Sequence, residues 1–378
     1  MRTILVYGLK NVVGGIENYL LMMHKYLHND LKFVFLVEET ENFIYEMDIS
    51  QYGGIIEFLP ERHNLSKYKM VFTKLLSKYH ENTNTLYVNV GHISFDIIPI
   101  NIAIRSGYRV ITHSHNAMQE PIKRLDYRIR QTILRTLAMK RLRSIDVKRL
   151  AVSDAAGVYL YHEKPYEIIT PGIEPNKFIF DENKRKEYRQ KLKIDDCIVL
   201  GYVGRLVSVK NPLFLIDVLK EMKNLGQRAK LLILGEGVLK EEIVTKATEV
   251  GVFDSILLMG TVINVQDYLQ AMDVLLAPSL SEGLGLFIVE AQAAGLPCVC
   301  ADGNIPSQVN VTGNVKFEKL NNGANAWCSD VLTLLDKRID RFDVRTLIEK
   351  SDFNIKKASE KLYKIIKDVS ETRQGENS

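Results

Sequence analysis

Residues 198–212 of the chain read IVLGYVGRLVSVKNP, and this stretch decides the fold. It contains a β-rich run, Ile198–Val203, then a glycine and an arginine, and then a proline where a helix can open. A strand that leads through a short turn into a helix is the repeating step of a parallel sheet wrapped by helices. The stretch therefore predicts that an α/β domain begins close to residue 190.

The same step repeats on both sides of this stretch. Further β-rich runs follow at 230–234, 256–259, 274–277 and 298–301, and earlier runs lie at 3–7, 32–37, 86–90, 109–112, 150–153 and 167–170. A polar, lysine-rich stretch at 181–196 separates the two series. Since 378 residues exceed the usual size of a single core, we expect two α/β domains with the boundary in this stretch.

The predicted domains cover residues 1–180 and 190–352. Residues 353–369 are expected to form a helix that packs on its neighbours, because its apolar residues fall on one stripe. These are Ile355, Ala358, Leu362, Ile365 and Val369. The tail at 370–378 is polar and is expected to be disordered.

Composition points to the cytoplasm. The four cysteines form no C-x-x-C pair, and Cys298 and Cys300 lie in an apolar run, so we expect reduced core thiols. No secretory signal pattern follows Met1, and no apolar stretch reaches the roughly 18 residues of a membrane span. The expected protein is cytoplasmic, or peripheral on the inner face of the cytoplasmic membrane.

Gly14 and Gly15 lie between the first predicted strand and the first helix. At the carboxyl edge of a parallel sheet, such glycines let a ligand approach the N–H groups that open a helix. A tight turn that needs a positive φ explains the pair equally well. The spacing also lacks the G-x-G-x-x-G pattern of a dinucleotide site.

Arg205 and Lys210 follow the strand at 198–203. Two cations at the carboxyl end of a strand can neutralise a diphosphate leaving group. Taken singly, each also fits a solvated surface residue. A functional role for the pair is favoured only together with a segment that comes later in the chain.

That segment is SEGLGLFIVEA, residues 281–291. Its glycines permit a tight loop whose N–H groups, with the positive end of the following helix, face an anion. Glu282 and Glu290 are close enough in sequence to face one ligand, and carboxylates suit sugar and ribose hydroxyls because they accept hydrogen bonds. A favourable interaction with the helix dipole would explain one glutamate near the start of the helix, but it explains two less well.

Glu282 and Glu290 match the E-x7-E motif of retaining family 4 glycosyltransferases, and the resemblance extends over nearly the whole chain. It is most similar to capsular and exopolysaccharide transferases. The resemblance implies the GT-B fold, in which two Rossmann-like domains face each other across a cleft and the C-terminal helix crosses back to the first domain. The matching segments are Gly14-Gly15-Ile16-Glu17, Gly204-Arg205, Lys210-Asn211, Leu234-Gly235-Glu236-Gly237, Gly260-Thr261-Val262 and His113-Ser114-His115-Asn116.

The resemblance also implies roles for these residues. Arg205 and Lys210 would hold the diphosphate, Glu290 the ribose hydroxyls and Glu282 the transferred sugar. The remaining donor contacts would come from Gly14, Gly15, Gly235, Thr261, Val262, Gly283, Leu284, Gly285 and Leu286, with Thr261 and Val262 near the nucleobase. The donor would be a UDP-sugar. We expect no cofactor and no metal, since an arginine and a lysine can stabilise the departing nucleotide and the chain has no D-x-D sequence.

One of His113 and His115 should correspond to the active-site histidine of the family. His115 is preferred, because His115-Asn116 resembles the family's His-Asp or His-Gly step, although a shift of two residues would select His113. Either imidazole also fits a structural role. The family usually has Asn-Gly-Ile-Asp at the end of the first domain, where this chain has Pro171-Gly172-Ile173-Glu174.

Residues 121–149 carry ten lysines or arginines against Asp126 and Asp146. Apolar residues alternate with these cations, which fits either a surface helix packed by one face or a helix that docks on an anionic membrane. Membrane docking would suit an acceptor glycan linked to a polyprenyl diphosphate. No nucleic-acid-binding motif accompanies the charge, so no nucleic acid partner is expected.

The predicted activity is that of a hexosyltransferase that extends a surface polysaccharide with retention at the anomeric carbon. Two alternatives remain open: a GT-B nucleotide-sugar epimerase, and a non-catalytic subunit that binds a membrane or a partner. An NAD-dependent oxidoreductase is disfavoured, because the dinucleotide fingerprint is absent.

Overall fold

The structure is a computed structural model, and it describes residues 1–12, 14–38, 42–116, 125–337, 340–342 and 344–371. The chain divides into two compact units. The first unit comprises Met1–Gly172 together with Ile355–Ser378, and the second comprises Ile173–Asn354.

The first unit is built on a parallel sheet. Its strands are β1 (Arg2–Tyr7), β2 (Leu31–Val37), β3 (Ile55–Phe58), β4 (Thr85–Val90), β5 (Arg109–Ser114), β6 (Lys148–Ala151) and β7 (Glu167–Ile168). Its helices up to the crossing into the second unit are α1 (Gly15–Leu27), α2 (Glu46–Ser50), α3 (Leu65–Tyr79), α4 (Ile93–Arg105), α5 (Leu125–Ser144) and α6 (Asp154–Tyr161).

The strand order in this sheet is β3-β2-β1-β4-β5-β6-β7, and each pairing is parallel. Side chains of β1 alternate between two cores: Leu5 and Tyr7 pack into one, and Ile4 and Val6 into the other. Apolar residues on both faces explain why the central strands read as continuous apolar runs. The sequence prediction missed β3, which lies at the edge of the sheet.

The second unit repeats this architecture. Its strands are β8 (Ile198–Val203), β9 (Ala229–Leu234), β10 (Ile256–Leu258), β11 (Val274–Ala277), β12 (Cys298–Ala301) and β13 (Val315–Glu318). Its helices are α7 (Glu182–Leu192), α8 (Phe214–Asn224), α9 (Lys240–Glu249), α10 (Val265–Ala271), α11 (Leu286–Ala293), α12 (Gly323–Asp336) and α13 (Arg345–Lys350).

The second sheet has the order β10-β9-β8-β11-β12-β13, again with parallel pairings. Strands β11 and β12 are completely buried, and Cys298 and Cys300 are fully buried thiols within β12. The sequence prediction missed β13, which lies at the other edge of the sheet from β10. The prediction of two parallel-sheet Rossmann-like domains is confirmed.

The last helix, α14 (Ile355–Glu371), belongs to the first unit, as expected. Ile355, Leu362 and Ile365 are buried in the core that also contains α1. The guanidinium of Arg109, at the start of β5, donates a hydrogen bond to the carbonyl of Val369 at 2.5 Å. The helix continues to Glu371, so the first two residues of the predicted tail are helical, and 372–378 lie outside the described residues.

The boundary between the units falls earlier than predicted. Residues 173–180, assigned to the first domain from sequence, belong to the second unit. The ring of Phe180 packs against Phe342 at 5.0 Å and lies 4.1 Å from the guanidinium of Arg341. The stretch at 181–196, predicted as the polar boundary, instead forms helix α7, which packs on α10.

Arginine side chains donate hydrogen bonds to the backbone carbonyls at the C-terminal end of α10. The Arg341 guanidinium donates hydrogen bonds of 3.0 to 3.3 Å to the carbonyls of Leu269, Gln270, Met272 and Ala294. Two arginines of α7 reach the adjacent Asp273: Arg185 at 2.5 Å and Arg189 at 3.1 Å. The last carbonyls of a helix lack partners within the helix, and these guanidinium groups supply donors for them. Helix α7 therefore docks mainly through charged groups.

No helix of the described residues is long and apolar enough to cross a membrane.

Replacing Asp273 by alanine should destabilise the second unit by about 3 kcal/mol, because two largely buried arginines would lose their carboxylate. Unfolding in urea, followed by the fluorescence of Trp327, measures this, since the chain's only tryptophan is fully buried in this unit. The matched control is Asp217→Ala, which removes a more exposed pair with Lys246 and should cost less than about 1 kcal/mol. Equal losses in the two variants would contradict this account.

Candidate functional site

Most of the predicted site residues of the second unit lie at one edge of its sheet. Strand order reverses between β8 and β11, and ligands of open parallel sheets bind outside the carboxyl ends of the strands at such a point. Arg205 and Lys210 follow β8, and Glu282 follows β11. The fold therefore gathers at the switch point residues that the sequence separates by more than 70 positions.

Lys210 and Glu282 form an ion pair. The ammonium of Lys210 lies 2.5 Å and 2.6 Å from the two carboxylate oxygens, and the hydroxyl of Ser279 donates to one of them at 2.7 Å. Glu282 is only 8% exposed, and its backbone N–H donates to the carbonyl of Asn304. The carboxylate is thus held in one position by groups from three segments. Sequence reasoning placed both residues in the site but did not foresee that they pair.

The loops after β8, β9 and β10 approach each other at the backbone level. A Cβ on Gly235 would lie 2.0 Å from the carbonyl oxygen of Gly204, and the φ of Gly235 is +140°. The N–H of Gly235 donates to the carbonyl of Gly260 at 2.8 Å. Only glycine fits at position 235. These contacts carry the Gly235 loop and the exposed Thr261 to the edge that also holds the exposed side chain of Arg205.

The glycine-rich loop at 283–285 leads into α11. Gly285 has a left-handed φ of +89°, and helix α11 begins at the next residue, Leu286. The side chain of Leu284 is buried, so this residue can offer a ligand its backbone rather than its side chain. The loop is thus fixed by packing on the core side.

Glu290 lies one turn into α11 and its pKa is raised to about 7, because burial disfavours the charged carboxylate. The nearby cation of Lys177 opposes this rise in the pKa of Glu290. Lys177 ends a short turn, Pro175–Lys177, and also pairs with Glu174. The sequence reading missed Lys177, because it stands just after the chain enters the second unit and belongs to no motif.

The glycine turn of the first unit opens α1. Gly14 precedes the helix in an extended conformation, with no side chain capping the helix. A Cβ on Gly14 would lie 2.5 Å from a carboxylate oxygen of Glu17, which is itself 4% exposed. Nothing lies within 4 Å of the corresponding position on Gly15. Open space at Gly15 is compatible with a ligand near the turn.

The two histidines occupy different environments at the end of β5. His113 is fully buried, and its Nδ1 lies 2.5 Å from the hydroxyl of Tyr87, which contacts the hydroxyl of Tyr19 at 2.8 Å. Burial lowers the pKa of His113 to about 3 and holds the pKa of His115 well below its usual range. His115 follows the strand and is 8% exposed. Of the pair, His115 is the one that retains some exposure.

Among the described residues, no group of three or more His, Cys, Asp or Glu could hold a metal ion.

Residues 184–346 match the family model described as glycosyl transferases group 1. This range covers the sheet of the second unit and the switch-point residues. The chain is a glycosyltransferase. EpsF of Bacillus subtilis, which is named a glycosyltransferase, is 26% identical to it over 298 residues, or 76% of each chain.

A second relative of this glycosyltransferase comes from Escherichia coli and is named UDP-Gal:alpha-D-GlcNAc-diphosphoundecaprenol alpha-1,3-galactosyltransferase. It is 34% identical over 141 residues, or 36% of each chain. Among solved structures, Anabaena HepE in complex with UDP and glucose is similar with a TM-score of 0.79 and 16% identity, over 96% of this chain and 99% of HepE. This likeness supports the predicted GT-B fold.

The buried His113 should make the first unit of the glycosyltransferase sensitive to acid. Its folded-state pKa of about 3 lies below the ordinary value near 6.5, so the unfolded chain binds more protons and stability is lost as pH falls below about 6.5. Between pH 7 and pH 5 this histidine alone should cost about 2 kcal/mol. Hydrogen exchange of peptides from β4 and β5 measures the loss.

His113→Gln should reduce that pH dependence, whereas His63→Gln, at an exposed histidine of the same unit, should leave it unchanged. An identical pH dependence in the wild type and in His113→Gln would contradict the assignment of His113 as a buried neutral group.

Proposed function

We propose that this glycosyltransferase transfers a hexose unit from a UDP-sugar to a growing surface polysaccharide, with retention at the anomeric carbon and without a metal ion. The observation that carries the proposal is the held Lys210–Glu282 pair at the switch point of the second sheet. Cations and carboxylates together suit a donor that combines a diphosphate with sugar hydroxyls.

We assign to Arg205 and Lys210 the stabilisation of the negative charge that develops on the departing diphosphate. The bond between the anomeric carbon and the diphosphate oxygen breaks, and its electron pair leaves with the nucleotide diphosphate. Two cations placed where this negative charge develops would stabilise the transition state. An ammonium has three donors and Glu282 takes two from Lys210, so the third is available to a phosphate oxygen.

We assign to the two glutamates the orientation of the donor through hydrogen bonds with its hydroxyl groups. A carboxylate has about four acceptor positions, and the contacts with Lys210 and Ser279 occupy three of those on Glu282. One position is left for a hydroxyl of the transferred sugar. Glu290 would accept hydrogen bonds from the ribose. The acceptor hydroxyl forms the new bond to the anomeric carbon, and its proton passes to the departing phosphate.

The names of the relatives support the substrate classes. The E. coli relative is named for UDP-Gal and for an acceptor linked to diphosphoundecaprenol, and HepE was solved with UDP and glucose. The Staphylococcus aureus relative CapM is named for capsular polysaccharide biosynthesis. We therefore propose a polyprenyl-diphosphate-linked glycan as the acceptor.

Replacing Glu290 by alanine should weaken binding of the donor nucleotide by roughly 10- to 100-fold, the usual worth of a hydrogen bond to a charged group. Calorimetric titration against UDP-, GDP- and ADP-sugars in EDTA measures this and identifies the base. The matched control, Glu242→Ala, removes an exposed glutamate from α9 and should leave affinity unchanged.

No binding to any nucleotide sugar would refute the donor site. Binding that appears only when Mg²⁺ replaces EDTA would refute metal independence alone. Conversion of the donor without any acceptor present would favour the epimerase alternative over transfer.

Helix α5 supports a membrane-facing role for the first unit. Four of its apolar side chains are 40 to 58% exposed: Ile129, Ile133, Leu134 and Leu137. Exposed cations lie on the same helix, including Arg130 and Lys140. A helix that presents apolar residues beside cations suits the surface of an anionic bilayer. We propose that α5 brings the enzyme to a lipid-linked acceptor.

Not all of the predicted basic segment is available for such docking. Arg143 donates to the carbonyl of Leu160, and Arg149 to that of Ile145, so these guanidinium groups serve the fold. Residues 121–124, which include Lys123 and Arg124, lie outside the described residues. Arg143 and Arg149 are therefore engaged within the fold and are not counted in the proposed docking surface.

The double variant Ile133→Asp, Leu137→Asp should weaken binding to vesicles rich in phosphatidylglycerol by roughly tenfold or more, because two apolar contacts are lost. Co-sedimentation with vesicles measures it, and phosphatidylcholine vesicles should bind weakly in every case. Leu225→Asp changes an equally exposed leucine of the second unit and serves as the control. Unchanged binding of the double variant would exclude α5 as the docking surface.

A further inference from the structure

A cavity of about 540 Å³ lies on the second unit. It is lined by the segment 176–184, by residues of α10 and by Phe342. No described residue that lines it comes from the loops after β8 or β11, which hold Lys210 and Glu282. Small-molecule sites enclose roughly 300 to 1,000 Å³. The cavity is therefore large enough for a ligand and is separate from the Lys210–Glu282 pair.

One side of the cavity is aromatic. The side chain of Phe342 is 62% exposed, so most of a large apolar surface is in contact with water. Its ring packs against the buried Phe180, with the ring centroids 5.0 Å apart and the planes at 72°. Ile179 adds a second apolar side chain, which is 37% exposed. The fold thus presents apolar surface at the rim of the cavity and anchors it on a buried ring.

Polar groups with unused hydrogen-bonding capacity line the same cavity. The side-chain amides of Asn176 and Asn183 make no hydrogen bond with any described residue. Oδ2 of Asp267 accepts hydrogen bonds from Tyr188 at 3.1 Å and from Asn264 at 2.9 Å, which leaves Oδ1 for a ligand. Amides both donate and accept hydrogen bonds, and a carboxylate accepts them. These groups suit a ligand that carries several hydroxyls.

The charge of the lining disfavours an anion. Its charged groups are two lysines and three acids: Lys177, Lys184, Asp181, Glu182 and Asp267. Lys177 already pairs with Glu174, and the ammonium of Lys184 lies 4.0 Å from a carboxylate oxygen of Asp267. A phosphate would therefore meet a lining with more negative than positive charge, and with its cations partly compensated. A neutral ligand fits this cavity better.

A neutral sugar matches both the aromatic and the polar side. One face of a hexose ring consists of C–H groups that pack on an aromatic ring, and its hydroxyls bond to amides and carboxylates. We propose that this cavity is a second saccharide site, which binds a neutral segment of a glycan on the second unit. The choice of a glycan rests on the proposed function. A site of this kind would keep a product chain close to the enzyme between successive transfers.

Saturation-transfer NMR on the full chain tests this site. Maltohexaose and cellohexaose serve as neutral hexose probes, and trigalacturonate serves as the anionic probe. The protein should transfer saturation to at least one neutral hexaose and much less to trigalacturonate. Saturating UDP should leave the signals of the hexaose unchanged, because the nucleotide is assigned to the switch point of the second sheet.

Three variants connect the signals to the cavity. Phe342→Ala should weaken binding of the hexaose by roughly tenfold or more, because the ring supplies the apolar area that the sugar would bury. The matched control is Phe253→Ala, which removes a ring that is 46% exposed on the same unit but outside the cavity, and binding should not change. Phe342→Trp retains an aromatic ring and should bind even if the alanine variant folds poorly.

Absence of transfer to both neutral hexaoses would overturn the proposal, as would equal binding by the wild type and Phe342→Ala. A preference for trigalacturonate would overturn the neutral class of ligand, and loss of the hexaose signals on addition of UDP would assign the probe to the donor site instead. If calorimetry shows no binding of any nucleotide sugar while binding of the hexaose still depends on Phe342, the proposed function fails and the saccharide site stands.

Discussion

All strands of each sheet run in one direction, and this constraint brings every loop that leaves a strand to the same edge. In the second unit the loops after β8 and β11 meet where the strand order reverses. There the N–H of Leu280 donates to the carbonyl of Val209 at 2.8 Å, and Lys210 binds Glu282. The backbone bond and the ion pair join two loops that are far apart in the chain. Helix α11, which carries Glu290, begins four residues after Glu282.

The ionisable groups at the edges of the two sheets lie in different environments. The second unit retains charge, since the buried carboxylate of Glu282 is stabilised by an ammonium and a hydroxyl. In the first unit, burial at the end of β5 lowers the pKa of both His113 and His115, which favours their neutral forms. A charged edge suits a diphosphate and a neutral edge suits hydroxyl groups.

The sequence predicted the central strands well, because they are buried on both faces and read as apolar runs. It missed β3 and β13, which lie at sheet edges and include partly exposed residues. It also mistook α7 for a boundary, because this helix docks through Arg185 and Arg189 rather than through an apolar stripe. The partner of Lys210 lies 72 residues away, so this contact could not be inferred without the fold.

The arginine that closes the end of α10 has a consequence for how small the second unit can be. All six strands of its sheet are complete by Glu318, yet Arg341 comes later in the chain and satisfies carbonyls of Leu269, Gln270, Met272 and Ala294. A fragment that ended after the last strand would contain the whole sheet but would lose the Arg341 donor to the carbonyls of Leu269 and Ala294, whereas those of Gln270 and Met272 would keep Arg185. The second unit is thus completed by a side chain beyond the sheet, and not by its strands alone.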